Sequence, residues 1–180
     1  MLAAIFWLLS ARPSRADEKL TPSNLPDFLA RYDSNFAPLD AAYGELANEQ
    51  LPLRDEEGRP VGRRPIENRR QALADLRKAA RQLAADPQDL VLAATLVLRT
   101  EDLADDLFDL SQIALDNDRE ELGKRLSDLQ ITMDENQRLL ASYLLALAAG
   151  KQDRIRQLEK ENADLQEKLK GAAKPPKPAA

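Results

Sequence analysis

The side chains able to do chemistry in this chain of 180 residues are carboxylates, guanidiniums, amines and phenols, because it contains no histidine and no cysteine. That absence removes the Ser-His-Asp triad, cysteine nucleophiles, disulfides, His- or Cys-ligated zinc and iron–sulfur clusters. What remains is concentrated in two places. Glu101, Asp102, Asp105, Asp106 and Asp109 belong to a stretch, 101–118, that holds seven acids and no base. Against it, residues 61–81 carry Arg63, Arg64, Arg69, Arg70, Arg77, Lys78 and Arg81, offset only by Glu67 and Asp75.

Carboxylates at helical spacing can hold a hard divalent cation, but a di-iron site of the Glu-x-x-His kind needs a residue this chain lacks. Asp116-Asn117-Asp118 opens like a calcium loop. Its sixth position is Glu121, where the turn needs glycine, and its twelfth is Ser127, where a bidentate glutamate is needed, so no EF-hand is expected. An enzyme would have to work with carboxylates, lysine or tyrosine alone, and nothing gathers them. The sequence therefore nominates no catalytic residue, no metal ligand and no cofactor.

The two charged stretches have a simpler use: opposite faces attract and help decide which helix lies beside which. Arg63, Arg64, Arg69 and Arg70 are the candidates for contact with an acidic partner. Nucleic acid is not expected, since the arginines are not interleaved with aromatics and the net charge is −5.

The elements that position these residues are helices. The 4% aromatic content, 11 prolines and 6 glycines argue against a β-sandwich, and the apolar spacing is helical throughout. Leu25, Leu29, Tyr32, Phe36, Leu39, Tyr43 and Leu46 form one stripe, with Asn24 and Pro26 at its start and Pro38 expected to kink or divide it. The segment 51–64 loses the period and reads as a charged loop or small hairpin turning at Asp55 to Gly58. A second helix starts near Pro65 and carries Ile66, Leu73, Leu76, Ala80 and Leu83. A third carries Leu96, Thr100, Leu103, Leu107, Leu110 and Ala114, with Asp86 as expected N-cap and Pro87 in its first turn. Asp118 and Glu121 give a capping-box-like start to the fourth, which carries Leu122, Leu126, Leu129, Met133, Leu140, Tyr143 and Leu147. The apolar run 139–149 is too short to span a bilayer. The expectation is an all-α protein, an antiparallel bundle of about four helices over 17–150.

Past Gly150 the apolar phase shifts and a heptad emerges, with Ile155, Asn162 and Leu169 at a and Leu158 and Leu165 at d. The pattern resembles a leucine-zipper coiled coil. These five residues are the candidate dimerisation set for an extension over 151–170. Asn162 at a favours a parallel pair, in which Arg154 at g faces Glu159 at e of the partner. Residues 171–180 form a Lys/Pro tail with no means of burying a core.

At the other end, Leu2 to Leu9 is an apolar run of eight, followed by Ser14-Arg15-Ala16 and then charge. That is the layout of a signal peptide, residues 1–16, cleaved after Ala16, although no Lys or Arg precedes the run. Cleavage removes Trp7, the only tryptophan, together with two arginines, leaving 24 basic residues against 31 acidic ones and a net charge of −7. The expected protein is periplasmic or secreted, without a membrane span in the mature chain. It would be a non-enzymatic scaffold that homodimerises through its C-terminal coiled coil and meets an envelope protein. The alternative is a cytosolic coiled-coil regulator binding an acidic partner through its Arg-rich helix.

Overall fold

The structure is a computed structural model that describes residues 19–47, 53–55 and 57–172, with side chains up to Lys170. The expected signal peptide, Trp7 and the tail from 173 lie outside the described residues. The protein is all-α: helix α1 spans Leu25–Ser34, α2 Phe36–Leu46, α3 Arg63–Ala85, α4 Leu90–Asp116 and α5 Glu120–Ala172. α1 and α2 are two halves of one bent arm, so four rods form the bundle. The bend is at Asn35, three residues before Pro38. Proline has no N–H to give the carbonyl of Ser34 and its ring crowds that carbonyl, so the helix breaks one turn upstream of the proline.

The predicted stripes are the core. Leu25, Leu29, Tyr32, Phe36, Leu39, Tyr43 and Leu46 are all buried, as are Ile66, Leu73, Leu76, Ala80 and Leu83 from α3 and Leu96, Leu107, Leu110 and Ala114 from α4. From α5 come Leu122, Leu126, Met133, Leu140 and Tyr143. α4 and α5 make the antiparallel hairpin to which the rest attaches, and they come together closely at Gly123. A Cβ built there would stand 2.7 Å from Leu115 Cγ and 3.1 Å from the Ser111 carbonyl oxygen, so glycine permits the approach.

Two helix starts differ from the sequence expectation. Asp86 does not cap α4: it ends α3, its N–H bonding the Gln82 carbonyl at 3.0 Å, while its side chain accepts from Gln88 N. The N-cap is Asp89, whose carboxylate accepts from the N–H groups of Val91 (2.8 Å) and Leu92 (2.9 Å). Pro87 lies between the two caps, in the connection. Asp118 likewise belongs to the end of α4. Its φ of 57° is left-handed, its N–H bonds Leu115 O at 3.1 Å and Arg119 N bonds Ala114 O at 2.9 Å. That pair of bonds is a Schellman motif, which consumes Asp118 before α5 begins.

The charged segment folds as the small hairpin its residues suggest. Val61 N bonds Leu53 O at 2.8 Å and Asp55 N bonds Arg59 O at 2.9 Å, with Gly58 turning at φ 75°. Leu53 is buried, and Asn117 clamps the hairpin to the α4–α5 turn by accepting from Arg54 N (3.0 Å) and donating to Arg54 O (2.9 Å).

One polar contact crosses the core. Tyr32 Oη and Thr100 Oγ1 are 2.7 Å apart, and Thr100 Oγ1 donates to the Leu96 carbonyl at 2.7 Å. The threonine proton being committed, the phenol must be the donor. Thr100→Val then strands a buried donor and costs about 1–3 kcal/mol, whereas Tyr32→Phe removes a bond whose remaining partner stays satisfied and costs about 1 kcal/mol. Urea denaturation of both variants and of the double variant checks the order; the double variant recovers part of the Thr100→Val loss.

Burial pushes the phenols of Tyr32 and Tyr43 well above the usual tyrosine value, and for Tyr43 the Asp106 carboxylate adds to burial. For a group raised in the folded state, the stability is present below the unfolded value and lost as pH rises beyond it. Stability is therefore expected to decline above pH about 10, where tyrosines of the unfolded chain ionise and these two do not. Denaturation midpoints between pH 8 and 11 test this, with a shallower decline for Tyr32→Phe.

Candidate interaction surfaces

α5 is far longer than the bundle it belongs to. Its 53 residues extend roughly 80 Å, about twice the length of α4. The last buried residue is Tyr143 and the last partly buried one is Leu147; from Ala148 to Lys170 every residue is exposed. The five nominated dimerisation residues all lie on this overhang. Ile155 is 49% exposed, Leu158 41%, Leu165 56% and Leu169 70%, and Asn162 is exposed as well. The four apolar residues of the stripe belong neither to the buried core nor to the partly buried apolar residues packed against it. The helix runs through Gly150 without interruption and one residue beyond Gly171.

Helix nucleation is the usual obstacle to a short coiled coil, and here it is already met. Residues 120–147 hold α5 in register against α4, so the overhang only has to propagate from a formed helix. Its flanks are charged: Arg156 reaches Asp153 at 3.5 Å, Arg154 reaches Glu161 at 4.0 Å, and Gln157 donates to Glu161 at 2.8 Å. Such exposed pairs contribute at most about 1 kcal/mol each.

The four nominated arginines have different situations. Arg69 Nε lies 2.7 Å from both carboxylate oxygens of Asp106 on α4, and Tyr43 also donates to that carboxylate at 3.4 Å. Arg70 grips Asp40 of α2 in bidentate fashion at 2.7 and 3.0 Å. Arg63 pairs within its own helix with Glu67 at 3.1 Å, and Arg64 is exposed with no partner among the described residues. Arg77, two turns beyond Arg70, holds Asp33 at 2.9 and 3.3 Å and its guanidinium lies 5.7 Å from the centre of the Phe36 ring. The basic stretch thus acts mainly inside the molecule, fastening α3 to both halves of the first arm and to α4. Hydrogen bonding to Arg70 holds the Asp40 carboxyl below the usual carboxylate range. Asp106 is the acid of α4 that an arginine hydrogen-bonds among the described residues; Glu101, Asp102, Asp105 and Asp109 are exposed.

The sequence did not reveal a notch where the overhang leaves the bundle. About 450 Å³ in volume, it is walled by Leu20, Thr21 and Pro22 on one side and Tyr143, Leu147, Lys151 and Arg154 on the other, with Gln88 nearby. Leu20 is buried, and the segment is fixed by Asn24, which accepts from Thr21 N at 2.7 Å and donates to Lys19 O at 3.1 Å. No periodic signal could announce it, because residues 19–22 form no regular element. The hydroxyl of Tyr143 donates to the Pro87 carbonyl at the same end of the bundle. Among the described residues no helix is long and apolar enough to cross a membrane. No protein-family model, curated protein or solved structure is similar to the chain.

Proposed function

We propose that this protein is a non-enzymatic scaffold that self-associates through the overhang of α5, with Ile155, Leu158, Asn162, Leu165 and Leu169 at the contact. The observation that carries this reading is an apolar stripe of four large residues, exposed among the described residues, on a helix already seeded by the bundle. Burying each such side chain contributes about 1.5–3 kcal/mol, and two copies present it together. The bundle is the rigid body that association brings into pairs. Export is part of the proposal and rests on the signal-like layout of residues 1–16; the partner met in the envelope is another protein.

Amine crosslinking in intact cells, followed by fractionation and mass measurement, tests both parts. The expected result is a chain that starts at Asp17, lacks Trp7, lies outside the cytoplasm and crosslinks to a second copy through lysines of the overhang. A full-length chain in the cytoplasm contradicts export, and absence of any self-adduct contradicts the scaffold.

A further inference from the structure

We infer that the two copies pair in antiparallel orientation along α5, each overhang running toward the other's bundle and the two bundles lying at opposite ends of the pair. This rests on the self-association just proposed and deepens it. The stripe faces the same side of α5 as its buried core residues. At about 100° per residue, Ile155, Leu158, Asn162, Leu165 and Leu169 fall within about 40° of the line drawn by Leu126, Met133 and Leu140 on the same helix. Those three are fully buried against the rest of the bundle. The spacing that looks like a phase shift near Gly150, four residues from Leu147 to Lys151 and four more to Ile155, keeps the stripe on the core side of an uninterrupted helix. A strict heptad would have drifted round it.

The consequence is steric. A partner helix lying parallel on the stripe, followed back toward its own N-terminus, runs into the volume that this chain's α4 and α2 fill beside α5. A parallel pair would drive each bundle through the other's α5. An antiparallel partner leaves in the opposite direction, and its C-terminal end points toward the notch at Leu20, Pro22, Tyr143 and Leu147, the apolar corner left open where the overhang begins.

Charge selects the register. In an antiparallel pair g positions face g positions. Setting Leu158 opposite the second copy's Leu169, and Asn162 opposite its Leu165, brings Glu161 beside Lys168 twice across the two-fold axis. The next register toward the bundle would set Glu161 against its own copy. Asn162 then faces a leucine and not another asparagine; in a two-stranded contact the flank of that central layer stays open to solvent, and its amide is satisfied through water.

The chain has no cysteine, so introduced thiols report without background. A disulfide needs Cα atoms about 4.4–6.8 Å apart. Full-length Leu158→Cys and Leu169→Cys proteins are oxidised separately and as an equal mixture, beside sedimentation of each under reducing conditions. The inference expects a 158–169 adduct in the mixture and almost none in either protein alone, because like positions lie roughly 16 Å apart along the axis. Efficient self-adducts of Leu158→Cys show a parallel pair, overturning this inference while self-association stands. A chain monomeric throughout the micromolar range overturns both. If the thiols themselves weaken the contact, the charge pair decides: Glu161→Lys should weaken dimerisation by about three- to tenfold at low salt, and Glu161→Lys with Lys168→Glu should restore it. No effect of Glu161→Lys in a dimeric protein counts against the antiparallel register.

Discussion

Phe36→Ala is expected to lower the unfolding free energy by about 3–5 kcal/mol, the cost of removing a fully buried aromatic ring from a packed core. Phe36 is wholly inaccessible to solvent and occupies the first position of α2, immediately after the bend. Its ring meets Tyr32 edge to face at 5.0 Å between centroids, so it joins the two halves of the arm across the break at Asn35. The Arg77 guanidinium lies over the same ring and is held in turn by Asp33. Deleting the ring therefore opens a cavity and loosens the clamp between α3 and α1. Phe36→Leu, which keeps much of the volume, should cost less than half as much. Urea unfolding followed by circular dichroism measures both, with unchanged denaturant slope marking a stability effect rather than a change of mechanism.

The second large effect concerns association and should leave the bundle alone. Leu158→Glu combined with Leu165→Glu is expected to weaken the dimer by at least about a thousandfold, since two apolar side chains per copy lose their burial and four carboxylates enter the contact. Both positions are exposed in the single chain and lie outside its core and the apolar residues packed against it, so the intrinsic stability of the bundle should change by no more than about 0.5 kcal/mol. The pairing of these two measurements matters: lost association with an intact bundle separates an interface role from a structural one. The overhang should also become less helical, because without a partner only the packed residues before Leu147 hold it.

Much of this arrangement was legible in the residues. The stripes of Leu, Tyr and Phe at steps of three and four identified the buried face of each rod, because burial of an amphipathic face is what fixes a helix in a bundle. Pro38 announced the division of the first arm, although the break falls upstream, where the missing N–H is felt. The caps are less legible. Asp86 and Asp118 have the side chains an N-cap needs, yet one closes α3 and the other turns left-handed to close α4; local chemistry could not say which neighbouring helix would claim them. The arginine cluster showed its charge but not its direction. Only the folded arrangement reveals that Arg69 and Arg70, adjacent in sequence, point to different helices, at Asp106 and Asp40. The heptad was visible from Ile155 to Leu169, whereas its alignment with the core face depends on α5 continuing unbroken through Gly150, which spacing alone does not guarantee.

The most direct test of the central claim is sedimentation equilibrium of the purified chain over a concentration series from low to high micromolar. The account predicts a reversible rise in mass from one chain to two and no further, with the two-chain species removed by the Leu158→Glu/Leu165→Glu substitutions. A mass that stays at one chain across the series, with α5 still helical by circular dichroism, would contradict it.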